Sequence, residues 1–180
     1  DEFIPIAEER GFIKDIDRFV FRKACTIQQD LLKKGYKPID ISVNLSQQTL
    51  HDPKLIETYL GIIEETGADI SHIHLEITET TLHNNHRSFI RLLRRLHKAG
   101  FKILLDDFGT GYSSLMLLKS MPIDALKLDK TFIDDYEHPK GRNIIECVID
   151  MTKKLDITII AEGIETVEQY EYIKSQNCDV

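Results

Sequence analysis

The sequence predicts an α/β fold from its strand–helix alternation, which fits an open sheet and a barrel alike, and its polar strand ends favour a TIM-like (β/α) barrel. Short apolar runs recur along the chain, and each is followed by an amphipathic stretch of ten or more residues. That alternation is typical of βα units, which build a parallel sheet. Successive predicted strands also end in polar residues. All strand ends converge on one face in a barrel, whereas an open sheet places only two strands beside one crevice.

The elements follow in a regular order after an apolar segment at 3–7. A helix over about 12–34 ends at Gly35, a strand follows at 39–43, and a helix over 53–66 ends at Gly67. Strand–helix units then repeat at 73–77 with 86–99, 102–105 with 114–120, 125–128 with 141–154, and 157–160 with 166–175. Because these strands are continuously apolar, we expect them to be buried on both faces.

Composition narrows the class of function. The chain has 180 residues, 42% of them hydrophobic, which is enough for one packed domain. A net charge of -7 argues against binding a nucleic-acid polymer, since such proteins need a basic face. Three scattered cysteines indicate reduced thiols and predict a cytoplasmic location. No apolar run approaches the roughly 20 residues of a membrane span, so we expect no membrane contact from this piece.

Polar residues lie at or just past the C-terminal end of each predicted strand. They comprise one amide, one lysine and several carboxylates: Asn44, Glu76, Asp106, Asp107, Lys127, Asp129 and Glu162. Oxygen ligands without histidine or cysteine suit Mg²⁺ or Mn²⁺ better than zinc. A pair of such ions can activate a water and stabilise the leaving oxygen of a phosphodiester, and Lys127 would add positive charge. The histidines at 72, 74, 83 and 86 form no HExxH motif, and we expect them to be solvated.

The adjacent pair Asp106–Asp107 constrains the local backbone. Neighbouring strand residues point to opposite faces, so both carboxylates reach one site only if the strand ends there. The segment 108–111, Phe-Gly-Thr-Gly, supplies two glycines that let the backbone turn.

Each polar residue also has a simpler interpretation. The aspartate pair could cap a helix or begin a turn, and Asn44 with Ser46 could form a turn. Glu162 could lie in a surface loop, and Lys127 on an exposed strand edge. It is improbable that polar residues would occur at the equivalent ends of five strands for five unrelated reasons. The set as a whole therefore supports a metal site at these strand ends.

These motifs resemble those of the EAL domain family over essentially the whole chain. Residues 106–115, DDFGTGYSSL, are similar to the family signature without a departure. Shorter matches fall in the same order as in the family: FIPIAEE at 3–9, NLS at 44–46, EITE at 76–79, KLD at 127–129 and AEGIET at 161–166.

The resemblance implies a role for each matching position. Metal would be bound by Asn44, Glu76, Asp106 and Glu162, with Asp107 bridging or supporting the pair of ions. Lys127 would orient or activate the attacking water together with Glu162, and Asp129 would support Lys127. Glu79 would brace the loop after Asp107, which in this family couples the site to dimerisation, and Glu165 would support the site. No substrate-binding residue is assigned.

The resemblance also implies a reaction, the hydrolysis of cyclic di-GMP to linear pGpG in bacterial second-messenger signalling. Two Mg²⁺ or Mn²⁺ ions would be the cofactors, and the complete domain would be a homodimer. Two alternatives stay open. An inactive EAL module could bind cyclic di-GMP or a protein partner, and an unrelated metal-dependent barrel could hydrolyse another phosphoester.

The resemblance further implies that residues 1–180 form a partial EAL domain. The glutamate of the E-A-L tripeptide, a nearby arginine and the first, antiparallel strand are expected before Asp1, and the last strand after Val180. The predicted fold is therefore an incomplete barrel with unpaired sheet edges. We expect such a piece, taken alone, to be inactive or poorly stable.

Overall fold

A computed structural model describes residues 3–78, 86–109 and 118–179. Its strands are β1 (Ile41–Asn44), β2 (Ile73–Thr78), β3 (Lys102–Phe108), β4 (Ala125–Leu128) and β5 (Thr158–Ala161). The helices are Phe3–Glu9, Ile13–Lys33, Gln47–Leu50, Leu55–Thr66, His86–Lys98, Lys130–Asp134, Pro139–Lys154 and Val167–Ser175, with a 3₁₀ turn at Ile70–His72. Each predicted strand is present, and the predicted helix at 114–120 lies largely outside the described residues.

The strand order follows the chain, β1-β2-β3-β4-β5, and the pairings with a described register are parallel. This confirms the α/β class and the βα arrangement predicted from the sequence. The described strands do not close into a barrel. The carboxyl ends of the paired strands β3, β4 and β5 share one edge, so the polar residues at these three strand ends lie together.

The chain forms two compact units, the first comprising Asp1–Ile77 and Arg87–Ile103. Its core is centred on Phe21, which stacks on Tyr59 with ring centroids 3.9 Å apart and meets Phe101 edge-on at 6.0 Å. Phe21 and Tyr59 come from the helices Ile13–Lys33 and Leu55–Thr66, which pack on each other. Both helices follow the predicted apolar periodicity, so their buried stripes face this core.

The second unit comprises Thr78–His86 and Leu104–Val180. Within it, β4 pairs with β5 from Ala125↔Thr158 to Leu128↔Ala161, and the helix Pro139–Lys154 packs against β5. Leu126, Leu128 and Ile159 are almost completely buried. Burial of this kind stabilises a fold by about 25 cal/mol per Å² of apolar surface. A rigid strand pair of this type can hold strand-end side chains in place.

Three short helices were not predicted from the sequence: Phe3–Glu9, Gln47–Leu50 and Lys130–Asp134. Two of them begin at polar residues that the sequence analysis singled out, Ser46 as a turn residue and Asp129 at a strand end. Ser46 accepts a hydrogen bond from the Thr49 amide, and Asp129 accepts one from the Thr131 amide. Side-chain oxygens at this position satisfy amides that a helix start leaves unpaired.

None of the helices in the described ranges is long and apolar enough to cross a membrane.

Candidate active site

Lys127 is the centre of a charged cluster in the second unit. Its Nζ lies 3.1 Å from Asp106 Oδ1 and 2.8 Å from Glu162 Oε1, and its side chain is only 12% exposed. The three residues come from β3, β4 and the end of β5. Strand pairing therefore brings together three of the predicted site residues that lie far apart in the sequence.

The backbone at Asp106–Asp107 differs from the prediction. β3 continues to Phe108 instead of ending at the pair, and its register with β4 is irregular between Leu105 and Phe108. Asp107 has φ 55°, in the left-handed region that few side chains adopt, and its amide donates to Asp106 Oδ1 at 3.0 Å. The sequence predicted that the strand would end at the aspartate pair so that both carboxylates could reach one site. The structure has a bulge within the strand instead, and bulges also redirect side chains.

Gly109 follows this irregular segment at φ 96°. A Cβ at Gly109 would lie 2.2 Å from the ring of Phe132, which belongs to the helix Lys130–Asp134. Only glycine fits this close approach and this backbone conformation together. The rest of the signature, residues 110–115, lies outside the described residues.

The electrostatics of the cluster are dominated by negative charge. Burial raises the pKa of Asp107, and the nearby carboxylates of Asp106, Asp129 and Glu162 raise it further, against a lowering effect of Lys127. Like charges disfavour the ionised form, whereas a bound cation would favour it. One lysine therefore compensates only part of the charge that these residues carry when ionised.

The donor chemistry of the cluster fits Mg²⁺ or Mn²⁺. Asp106, Asp107 and Glu162 offer only carboxylate oxygens, the ligands these ions prefer, and the crowding at Asp107 attracts a cation. Among the described residues, no three His, Cys, Asp or Glu side chains converge closely enough to hold a metal ion. In this structure the ammonium of Lys127 lies between two of the predicted ligands.

Asp129 acts locally as a helix cap. Its Oδ1 accepts from the Thr131 amide at 2.9 Å and from the Thr131 hydroxyl at 2.6 Å. These two bonds hold the pKa of Asp129 below its ordinary value, although burial opposes them. Neither of these two hydrogen bonds involves Lys127, the residue that Asp129 was predicted to support. Asp129 influences the cluster through its negative charge near Asp107.

The first unit contains two further predicted ligands. Asn44 ends β1 and is the register partner of Glu76 in β2, and the Leu45 amide donates to the Glu76 carbonyl at 2.9 Å. Glu76 is 7% exposed, whereas Asn44 is exposed. Parallel pairing therefore places the amide and the carboxylate at adjacent positions. Glu79 lies outside the described residues.

Sequence reasoning missed several residues that position the site loops. Asp17 is buried and accepts from the Ser46 amide at 3.0 Å, next to the Asn44 strand end. Gln169 forms a capping box with Thr166 at the start of the last helix. Lys130 forms an ion pair with Glu165, the residue predicted to support the site. The Thr-x-x-Gln spacing at 166–169 could have identified the capping box.

Parallel βα units with a lysine and carboxylates at the strand ends are typical of a (β/α)-type scaffold with an acidic site. The chain matches the model of the EAL domain over residues 1–180, and it belongs to the EAL domain family. The resemblance of the sequence motifs is thereby confirmed.

Named relatives and solved structures agree with this assignment. The chain is 35% identical over its whole length to the cyclic di-GMP phosphodiesterase NbdA of Pseudomonas aeruginosa, and it spans 23% of that protein. A structure described as PaMucR phosphodiesterase in complex with c-di-GMP is similar with a TM-score of 0.92 and 33% identity, over 98% of this chain and 72% of that one. The manganese and cyclic di-GMP complex of Klebsiella pneumoniae BlrP1 is similar with a TM-score of 0.81 and 27% identity, over 92% and 42%.

Proposed function

We propose that this protein hydrolyses one phosphodiester bond of cyclic di-GMP to give linear pGpG, as part of bacterial second-messenger signalling. The observation that carries the proposal is the ammonium of Lys127 held between Asp106 and Glu162 at the ends of three neighbouring strands. NbdA, by its name, has this activity, and the PaMucR structure holds this ligand. A homodimer and a cytoplasmic location belong to the same proposal.

The metal ligands in this proposal are carboxylates and one amide. Asp106, Asp107 and Glu162 would bind Mg²⁺ or Mn²⁺, and Asn44 and Glu76 keep their predicted role as ligands. Bound divalent ions supply positive charge that acidifies a water and polarises a phosphoryl oxygen. The manganese complex of BlrP1 supports the choice of ion.

Lys127 would position the attacking water or a phosphoryl oxygen of the substrate. Its ammonium is oriented before substrate arrives, since two carboxylates contact it and most of its surface is buried. Preorganised donors of this kind stabilise the charge that develops on the phosphoryl oxygens. In the net reaction, water adds to phosphorus, one phosphorus–oxygen ester bond breaks, and the leaving oxygen gains a proton.

Turnover of cyclic di-GMP by the complete EAL domain, followed by chromatography, tests this function. We expect linear dinucleotide with Mg²⁺ or Mn²⁺, none with a chelator, and none with Asp106→Ala. Asp150→Ala is the matched control, because Asp150 is an exposed aspartate on the helix Pro139–Lys154 of the same unit. Hydrolysis that survives both the chelator and Asp106→Ala contradicts the proposed site.

A receptor that binds cyclic di-GMP without cleaving it is the second candidate. It is favoured by the direct ion pairs of Lys127, which neutralise two predicted metal ligands. Calorimetric binding of cyclic di-GMP with no linear product at any metal concentration would establish this alternative. The predicted catalytic roles would then not apply to this protein.

A further inference from the structure

We propose that Lys130 is a positioning residue for Glu162. The proposal rests on the function proposed above and assigns Lys130 a place in the same site. Lys130 would act through the loop 162–165, which we call the Glu162 loop. Its aliphatic stem lies against Gly163 and its ammonium pairs with Glu165, so that it holds the Glu162 loop from one side.

The Glu162 loop is attached to the same strand that carries Lys127. The Glu162 amide donates to the Leu128 carbonyl at 3.1 Å, one residue beyond Lys127. Two residues after Leu128, the chain enters the helix Lys130–Asp134, whose first residue is Lys130. Lys127 and Lys130 therefore flank the point where the Glu162 loop meets β4.

Gly163 brings the loop into close contact with the stem of Lys130. A Cβ at Gly163 would lie 2.5 Å from Lys130 Cγ and 2.6 Å from its Cβ. Gly163 also has φ 71°, a conformation that favours glycine. The stem of Lys130 therefore occupies the space beside Gly163 and limits movement of the loop in that direction.

Glu165 provides the second attachment. Its side chain pairs with the Lys130 ammonium, and its amide donates to Gln169 Oε1 at 2.8 Å. The two charged side chains are 44% and 65% exposed, so their pairing contributes little to global stability. We expect the Lys130–Glu165 ion pair to fix the position of the Glu162 loop. The position of the loop in turn determines the 2.8 Å contact of Glu162 with Lys127.

The test compares variants that remove the charge but keep the stem. In Lys130→Met and in Glu165→Gln, we expect kcat for cyclic di-GMP to fall about fivefold with KM unchanged, since small misplacements of catalytic groups lower the rate. The double variant should lose no more than either single one, because both remove the same contact. Lys130→Arg should restore kcat to within about twofold. Arg22→Met and Glu65→Gln, which break an exposed ion pair between two helices of the first unit, are the controls.

Hydrogen exchange at the Glu162 amide gives a readout that does not depend on activity. We expect exchange to be about two- to fivefold faster in Lys130→Met, the range expected for an exposed ion pair, and unchanged in the Arg22 control. Unchanged exchange in Lys130→Met overturns the positioning role. So does a double variant whose loss of kcat is the sum of the two single losses, when Lys130→Arg also fails to restore kcat. Absence of hydrolysis in the wild type, with the expected exchange pattern, contradicts the proposed function and leaves the loop attachment supported.

Discussion

Lys127 is the residue on which the candidate site depends most. It is the counter-charge to Asp106 and Glu162, and it is almost buried. We expect Lys127→Met to lower kcat by about 10²- to 10³-fold, the cost of removing one preorganised donor. The same variant should lose about 1–3 kcal/mol of unfolding free energy, less than for a fully buried pair because Glu162 is 41% exposed.

Two measurements check this prediction, steady-state turnover of cyclic di-GMP and urea unfolding at neutral pH. Lys153→Met, an exposed lysine on the helix Pro139–Lys154, is the control for loss of a positive charge. A Lys127→Met enzyme with wild-type kcat would show that Lys127 only balances charge.

The histidines near β1 and β2 correct a prediction at the same scale. His74 is 9% exposed instead of solvated, and His72 Nδ1 lies 2.6 Å from Asp40 Oδ1. His74 Nε2 approaches the same oxygen at 3.6 Å. The sequence patterns do not indicate this cluster, because Asp40 precedes a strand that only the folded sheet places beside the histidines.

Asp40 makes stability depend on pH. Burial raises the pKa of Asp40, but the hydrogen bond with His72 and the charges of His74 and Lys102 outweigh it, so the pKa lies below its ordinary value. A lowered pKa in the folded state stabilises the protein above the unfolded value, near 4, and this stabilisation is lost as the pH falls through the folded value.

We therefore expect Asp40→Asn to be less stable than the wild type at pH 7, by at most about 1 kcal/mol because Asp40 is exposed. The difference should shrink as the pH falls from about 5 to 3. Urea unfolding across this range, with Asp30→Asn as an exposed control, measures it. A difference that stays constant with pH would contradict the assigned role of Asp40.

The irregular backbone at Asp107 shows what sequence patterns leave open. The adjacent aspartates and the glycines after them indicated a break in the strand. The register shift and the φ of 55° lie next to Gly109, which closely approaches Phe132, a residue distant in the sequence. Local patterns do not contain contacts of this range, so the type of break was not predictable.

At the scale of elements, the long helices and the strands were predictable, and the shortest helices were not. Helices such as Ile13–Lys33 and Pro139–Lys154 have several turns, over which apolar periodicity is clear. Gln47–Leu50 and Lys130–Asp134 have one turn each, which is too short to show a period. Their caps, Ser46 and Asp129, were interpreted as a turn residue and a site residue.

The last helix depends on its capping box. Gln169 Oε1 accepts from the Glu165 and Thr166 amides at 2.8 and 3.0 Å, and Thr166 Oγ1 accepts from the Gln169 amide at 3.2 Å. Gln169 is 8% exposed. We expect Gln169→Ala to cost about 1–2 kcal/mol of unfolding free energy, because it leaves two amides unpaired and removes part of a cap.

Urea unfolding of Gln169→Ala measures this cost, with Glu168→Ala as the control at the exposed neighbouring position. Equal stability of the two variants would indicate that water replaces the Gln169 side chain.

For the whole molecule, the binary pattern predicted the parallel βα order of the strands. Buried strands and amphipathic helices follow directly from hydrophobic periodicity, which is a property of the sequence alone. The contacts among the site side chains were not predictable in the same way. Asp106 and Glu162 contact Lys127 in the structure, an interaction that depends on side-chain geometry at three strand ends.

Divalent metal should stabilise the folded chain if the acidic cluster binds it. Binding to the folded state alone adds about 2.7 kcal/mol at a metal concentration 100 times the Kd. For a chain of 180 residues, this corresponds to a rise in Tm of about 5–11 °C. Scanning calorimetry with Mn²⁺ and with excess chelator, at constant ionic strength, measures the rise.

Asp106→Ala decides where that metal binds. Removing a ligand should abolish most of the rise in Tm, while Asp150→Ala should keep all of it. The variant itself should change the metal-free Tm less than it changes the response to Mn²⁺, because Lys127 retains its contact with Glu162. An equal response in both variants would place the metal elsewhere in the protein, and no response in the wild type would favour Lys127 as the permanent counter-charge of these carboxylates.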